Sequence, residues 1–137
     1  MTLEEKRAIA IKFTQSIGGK VEALDRSVIT DDFTYWAHGV GLIDADTLTK
    51  LVTTLRPAIP VPPAYKIFST TAEGDRVTIE AQCDIPLSNG VRYQNSYHFL
   101  VQFRGNKVCH FKEYYDSKYA ADSFGPILKN IPHGPGA

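Results

Sequence analysis

The stretch KVCHFKEYYDSKYAADSF, Lys107 to Phe124, predicts a strand that runs directly into a helix. Successive side chains of a strand point to opposite faces, so Phe111, Glu113 and Tyr115 share one face of the predicted strand Lys107 to Tyr115. A carboxylate between two aromatic side chains loses its hydration if that face turns inward, which raises its pKa. If that face does turn inward, Glu113 is a candidate base or acid close to the end of the last strand.

Three more strands are predicted ahead of this one, with turns at AEGD, LSNG and RGN between them. They run from Tyr65 to Thr71, from Val77 to Ile85 and from Tyr93 to Arg104. Short turns rich in glycine and asparagine between strand-like segments indicate hairpins. The second half of the chain therefore predicts an antiparallel meander.

The first half predicts helices around a single strand. Thr2 and Glu5 have the spacing of a capping box, and Gly18 and Gly19 end the helix that follows. The remaining predicted elements are a short helix from Val21 to Val28, a strand from Phe33 to His38, and a helix that Asp44 or Asp46 caps and Pro57 ends. Together these elements predict an α+β fold: a cone-shaped, curved antiparallel sheet that about three N-terminal helices and a short C-terminal helix cover, enclosing a pocket.

Length and composition narrow the class of protein. The 137 residues predict one domain over 1–128, followed by a flexible tail over 129–137 that contains HGPG. Fifteen basic and fifteen acidic side chains cancel, which argues against a nucleic-acid partner. The lack of a long apolar run argues against a membrane and favours a cytoplasmic protein. Cys83 and Cys109 lack the spacing of metal ligands, so neither a metal nor another cofactor is expected.

Two strands show how polar and apolar rows alternate. In Val77 to Ile85 the odd-numbered residues are apolar, whereas the even-numbered residues, from Thr78 to Asp84, are polar. In Tyr93 to Arg104 one row contains Asn95, Tyr97 and Phe99. This mixed polar and aromatic row is expected to be buried, and for Asp84 a place in the pocket and a place on the surface both remain open.

The order of the elements and the ending FKEYYDSKYAADSF resemble the superfamily of nuclear transport factor two-like folds, which includes ketosteroid isomerases, SnoaL-like polyketide cyclases and limonene epoxide hydrolases. The resemblance covers nearly the whole chain, to about Leu128. Limonene epoxide hydrolases use two acids and an arginine. By resemblance, EAQCD places Asp84 at the first acid and Gln82 at the arginine, and FKEYYD places Glu113 at the second acid. A glutamine lacks the positive charge that would hold two carboxylates together.

The resemblance implies a site inside the cone. YWAHG falls on the strand that supplies polar helpers in that family, so His38 joins Asp84 and Glu113 as a candidate catalytic residue. The candidate substrate-binding residues are Trp36, Gln82, Asn95, Tyr97, Phe99, Phe111 and Tyr115. The apolar row with Val77, Ile79 and Cys83 is then expected to face away from the pocket.

The implied function is cofactor-independent general acid and base catalysis by an enzyme of the isomerase or cyclase type. Its substrate is expected to be a hydrophobic, oxygenated small molecule, with Asp84 or Glu113 as the base and His38 or Tyr97 assisting. The alternatives are addition of water to an epoxide or double bond, and a noncatalytic binding or dimerisation module. The resemblance also implies a homodimer that forms through the outer face of the sheet.

Overall fold

The computed structural model describes residues 1–17, 24–61 and 65–128. The chain begins with helix α1, Leu3–Ile17. The hydroxyl oxygen of Thr2 accepts a hydrogen bond from the backbone N–H of Glu5 at 3.1 Å, which confirms the predicted start of this helix. Phe13 is 4% exposed and anchors α1 in the core.

Two further helices begin at aspartate caps. Helix α2 is Ala45–Leu55, and the carboxylate of Asp44 accepts from the N–H of Thr47 at 2.9 Å. Helix α3 is Ser117–Leu128, and the carboxylate of Asp116 accepts from the N–H of Tyr119 at 3.0 Å. The predicted helix Val21 to Val28 begins outside the described residues, and its described end is a single 3₁₀ turn, Arg26–Val28.

The sheet has six strands in the order β2-β1-β6-β5-β4-β3. Their bounds are Ile29–Ala37 for β1, Gly41–Asp44 for β2, Tyr65–Glu73 for β3, Arg76–Pro86 for β4, Arg92–Arg104 for β5 and Lys107–Tyr115 for β6. The predicted meander is therefore present, with strand ends within two residues of the prediction. The sheet is curved and does not close, and it forms an α+β cone with the three helices, as the sequence predicted.

Strand β2 was missed because its four residues are too few to show an alternating pattern. Gly39 and Gly41, with φ angles of +78° and +81°, form the turn that folds β2 back onto β1. The sheet is antiparallel, as predicted, except that β1 pairs with β6 in parallel. The connection between these two strands contains β2, α2 and β3 to β5, and a long connection of this kind is what a parallel pairing requires.

The inner face of the sheet is set by the register of β4 and β5. Val77, Ile79 and Cys83 lie opposite Val101, Phe99 and Asn95, and residues directly opposite each other share a face. All six of these side chains are buried. The prediction that Val77, Ile79 and Cys83 face away from the interior is therefore wrong: they line the inner face, and the polar row of β4 faces outward.

Aromatic rings fill the space between α1 and the sheet. The ring of Phe13 meets those of Phe33 and Phe111 edge-on, with centroids 5.9 Å and 5.5 Å away. Phe99 and Phe111 are 0% exposed, and their centroids lie 5.4 Å apart. In the part of the chain that the structure describes, no helix is long and apolar enough to cross a membrane.

Candidate functional site

Glu113 lies on the inner face of β6, opposite Phe99 of β5 and Ala37 of β1. The residue is 9% exposed, and the hydroxyl of Tyr35 donates a hydrogen bond to its carboxylate. Burial raises the pKa of Glu113 to about 7, although the bond from Tyr35 opposes the shift. At neutral pH this carboxyl group is therefore divided between its protonated and ionised forms.

Four tyrosines interact electrostatically with Glu113: Tyr35, Tyr65, Tyr97 and Tyr115. Burial raises the pKa of each phenol, and the negative charge of Glu113 raises it further. All four phenols therefore remain protonated at neutral pH and keep a proton to donate.

The hydroxyl groups of these tyrosines differ in their partners. The Tyr97 hydroxyl lies 2.8 Å from that of Tyr93, whereas the Tyr115 hydroxyl donates to the backbone carbonyl of His38 at 2.8 Å. Tyr65 packs its ring edge-on against that of Tyr97, with centroids 5.3 Å apart. The hydroxyl groups of Tyr35 and Tyr97 thus bond to other side chains inside the cone, those of Glu113 and Tyr93.

Asn95 is on the inner face as predicted, but its amide group joins structural elements. Its Nδ2 donates to the Tyr93 hydroxyl at 2.8 Å and to the backbone carbonyl of Asp116 at 3.0 Å. Its Oδ1 accepts from the N–H of Asp116 at 3.3 Å. These bonds fasten the start of α3 to β5 and leave no amide hydrogen for a substrate.

Asp84 lies on the outer face of β4, because its neighbours Cys83 and Ile85 face inward. Its carboxylate accepts from Arg92 Nε at 2.6 Å, and its side chain is 41% exposed. The bond from Arg92 lowers the pKa of Asp84, so this group is an ordinary surface anion. The prediction that Asp84 and Glu113 face one cavity is wrong.

Gln82, His38 and Trp36 also point outward, which corrects their predicted place in the cone. Gln82 lies opposite Ser96 on the outer face. The ring of His38 lies 4.8 Å from that of Trp36 and 5.4 Å from that of Tyr114, and the His38 side chain is exposed. Strand alternation explains the error, since Tyr35 and Ala37 occupy the inward positions of β1.

The structure therefore brings together only part of the predicted site. Glu113, Tyr97, Phe99, Phe111 and Tyr115 share the inner face with Asn95. Phe111 stacks on Tyr35, with centroids 6.0 Å apart and planes 11° apart. The phenylalanines fill the cone instead of leaving it open around the carboxyl group.

Sequence reasoning missed Tyr35, the residue that bonds to Glu113. The signal was present in FTYWAHG, whose alternate row Phe33, Tyr35 and Ala37 is mostly aromatic. Alternation alone does not say which of the two rows of β1 faces inward. The pairing of Ala37 with Glu113 shows that the row with Tyr35 does.

A groove of about 900 Å³ lies between α1, α2 and the start of β6. We call it the helix groove; its lining residues are Ile9, Lys12, Phe13, Gln15, Ser16, Ile17, Leu24, Asp25, Ser27, Val28, Leu48, Thr49, Val52, Thr53, Arg56, Asn106 and Lys107. Glu113 is not among them. Phe13 connects the two regions, because it lines the groove and its ring also contacts Phe111.

Metal binding has no candidate in the described ranges. Over 1–17, 24–61 and 65–128, no group of three or more His, Cys, Asp or Glu side chains is arranged to hold an ion.

Solved structures match this architecture over most of its length. PrhC from Penicillium brasilianum is 16% identical, with a TM-score of 0.78 over 94% of this chain and 91% of that one. A candidate SnoaL-like polyketide cyclase from Jannaschia sp. is 14% identical, with a TM-score of 0.71 over 94% of each chain. A protein with a ketosteroid isomerase-like fold from Catenulispora acidiphila, in complex with trimethylamine, is 17% identical, with a TM-score of 0.69 over 89% and 96% of the two chains.

No protein-family profile and no curated protein sequence matches the chain. At identities of 14% to 17% the structural matches establish architecture and leave the chemistry open. The chain has the cone-shaped fold that SnoaL-like, ketosteroid isomerase-like and nuclear transport factor two-like proteins share, as its sequence predicted.

Proposed function

We propose that the protein is a cofactor-independent enzyme in which Glu113 transfers a proton on an apolar, oxygenated small molecule, in a reaction of the isomerase or cyclase type. The observation that carries the proposal is the buried carboxyl group, whose pKa of about 7 is far above that of an ordinary glutamate. A general base or acid works best when its pKa lies near the working pH.

The proposed step is removal of a proton from the carbon next to a carbonyl group. The carboxylate of Glu113 takes the proton, and the electron pair of the C–H bond becomes the double bond of an enolate whose charge rests on oxygen. The protonated phenol of Tyr97 is the proposed donor to that oxygen, and Tyr35 can join it once Glu113 has taken the proton and no longer accepts the bond from Tyr35. Glu113 then returns its proton to a carbon of the same molecule, which balances the reaction without a cofactor.

Access to Glu113 is proposed from the helix groove. Phe13 forms part of the groove wall and touches Phe111, which in turn stacks on Tyr35. A substrate whose apolar body lies in the groove would therefore reach Glu113 only if the rings of Phe13 and Phe111 move aside.

The test is proton exchange on a simple ketone, which does not require the natural substrate. Cyclohexanone and 4-tert-butylcyclohexanone are incubated with the protein in D₂O, and loss of the α-proton signal is followed by NMR. We expect wild type to exceed Glu113→Gln by about 10²- to 10⁴-fold, with a rate that rises with pH through about 7.

Asp84→Asn is the matched control, since it makes the same carboxyl-to-amide change on the outer face and should leave exchange unchanged. The pKa of Glu113 is measured independently by NMR titration of its ¹³C-labelled carboxyl group. A value in the range of an ordinary glutamate, or equal exchange by wild type and Glu113→Gln on both ketones, contradicts the proposal.

The second candidate is a noncatalytic small-molecule-binding module. The separation of the helix groove from Glu113 favours it, because a ligand could occupy the groove without meeting the carboxyl group. Under this alternative Glu113→Gln binds ligands as wild type does, and neither protein accelerates exchange. Addition of water to an epoxide is disfavoured, since Asp84 and Glu113 lie on opposite faces of the sheet and cannot hold one water molecule.

The proposed macromolecular partner is a second copy of the chain on the outer sheet face. Leu42 and Tyr114 are 65% and 40% exposed there, beside the half-buried Trp36. Apolar and aromatic residues of this kind form the centres of protein interfaces. Val77, Ile79 and Cys83 cannot take part in this interface, because they are buried on the inner face.

A further inference from the structure

The helix groove carries a charge that the chain as a whole does not. Lys12, Arg56 and Lys107 line it, and all three are exposed, so their charges lie at its mouth. Among the described residues of the lining, Asp25 is the single carboxylate. These described lining residues therefore have a net charge of +2, whereas the whole chain has a net charge of zero.

The three cations form no close ion pair with the described residues, although, beside the hydrogen bonds from Ser27, the charge of Lys12 contributes to lowering the pKa of Asp25 in the same groove. None of the ion pairs among residues 1–17, 24–61 and 65–128 includes Lys12, Arg56 or Lys107. The carboxylate of Asp25 is itself engaged, since it accepts from the N–H of Ser27 at 2.9 Å and from its hydroxyl at 2.6 Å.

The floor of the groove is apolar. Phe13 and Leu48 are buried beneath it, and Ile9, Val28 and Val52 are partly buried around them. A concave, apolar surface of about 900 Å³ has the size of a small-molecule site. The polar side chains around this floor are mostly neutral, and three of the four charged ones among the described residues are positive.

We infer that the helix groove binds an apolar carboxylic acid, with the hydrocarbon body on the floor and the carboxylate among Lys12, Arg56 and Lys107. Charge complementarity selects an anion, and the apolar floor excludes a small hydrophilic one. The inference rests on the proposed function in one respect: such an acid would be the substrate or product class of the reaction at Glu113.

The probes are octanoate, 1-octanol and octyltrimethylammonium, which share one chain and differ in the charge of the headgroup. Isothermal titration calorimetry at low salt should rank their affinities in that order, with octanoate about three- to tenfold tighter than octanol. Dissolved ions screen exposed charges, and the screening length shortens as the salt concentration rises. The preference for octanoate over octanol should therefore shrink in 1 M NaCl.

The variant that removes the rim charges is Lys12→Gln/Arg56→Gln/Lys107→Gln. It should bind octanoate no better than octanol, and each single change should weaken octanoate binding by about two- to fivefold. The matched control is Lys66→Gln/Lys112→Gln/Lys118→Gln, which changes net charge equally at exposed or half-exposed positions outside the groove. It should preserve the preference.

Two outcomes overturn the inference: octanoate binds no more tightly than octanol, or both triple variants lose the preference equally. Neither outcome bears on proton transfer, which is read from ketone exchange. Conversely, Glu113→Gln should retain the octanoate preference, so the groove can be confirmed even where the exchange experiment fails.

Discussion

Glu113 shows how one residue can be costly for stability and useful for chemistry. Its pKa is raised from 4.5 to about 7 because the charged form is buried. Below pH 4.5 the group is protonated in both the folded and the unfolded chain, so it imposes no penalty. From pH 4.5 to 7 the unfolded chain releases the proton first, and stability falls by roughly 3 kcal/mol in total.

Replacement of Glu113 by glutamine should therefore stabilise the protein at high pH. A neutral amide of the same shape avoids the burial of a charge and can still accept a hydrogen bond from Tyr35. We expect the free energy of unfolding at pH 8 to increase by roughly 1–3 kcal/mol, with little change at pH 4.5. Urea denaturation at the two pH values measures the difference.

Glu80→Gln is the control for this experiment. Glu80 is exposed on the outer face of β4, opposite His98, and its replacement should leave the pH dependence unchanged. A Glu113→Gln variant that is no more stable than wild type at pH 8 would show that Glu113 is not the buried acid described here.

Residue patterns within one strand were sufficient to single out Glu113, because Phe111 and Tyr115 lie two positions away on either side. They were insufficient for Asp84. Its strand alternates cleanly, but alternation alone does not say which row faces the core, and the resemblance to epoxide hydrolases selected the wrong row.

At the scale of elements, the start of α3 determines how the inner face is closed. Asp116 caps this helix through the N–H of Tyr119, and its own backbone is held by Asn95 of β5. Tyr119 stacks on Tyr93, with ring centroids 5.4 Å apart. These contacts hold the start of α3 against β5, next to Tyr93. The hydroxyl of Tyr93 in turn contacts that of Tyr97.

Asp116→Ala should lower the free energy of unfolding by about 1 kcal/mol, because a helix loses its N-cap. Asp116→Asn, which is also a good cap, should cost only a few tenths of a kcal/mol by the same ranking. Urea unfolding of both variants tests the assignment. Equal losses for alanine and asparagine would mean that the carboxylate acts through its charge and not as a cap.

The pairing of elements also decides the identity of the site. The bulge-free stretch of β1 from Thr34 to Ala37 runs parallel to β6, and this register puts Tyr35 within reach of Glu113. Nothing in FTYWAHG specifies a parallel partner about 75 residues later in the chain. The helices and strands of the second half were predictable because local turns and caps fix them.

At the scale of the whole molecule, the outer sheet face has the exposed apolar side chains Leu42 and Tyr114 beside Trp36. We expect sedimentation velocity to show a dimer in the wild type at micromolar concentration. Leu42→Glu and Tyr114→Glu should shift the protein to a monomer, because each puts a charge into an apolar contact.

Val91→Glu controls for the effect of a surface charge. Val91 is 48% exposed and lies in the turn between β4 and β5, away from the proposed interface. Its replacement should leave the dimer intact. If wild type sediments as a monomer, the outer face is not an interface between copies.

The sequence by itself determined the α+β class, the meander, the cap of α1 and the aromatic row that contains Glu113, and it reduced the cap of α2 to Asp44 or Asp46. These features depend on interactions between residues close in the chain, such as Thr2 with Glu5, or on side chains two apart in one strand. The tertiary structure alone decided that Asp84, Gln82, His38 and Trp36 face outward and that Tyr35 bonds to Glu113. The reason is that alternation in a strand has two phases of equal local energy, and only the pairing of distant strands and the packing of α1 select one.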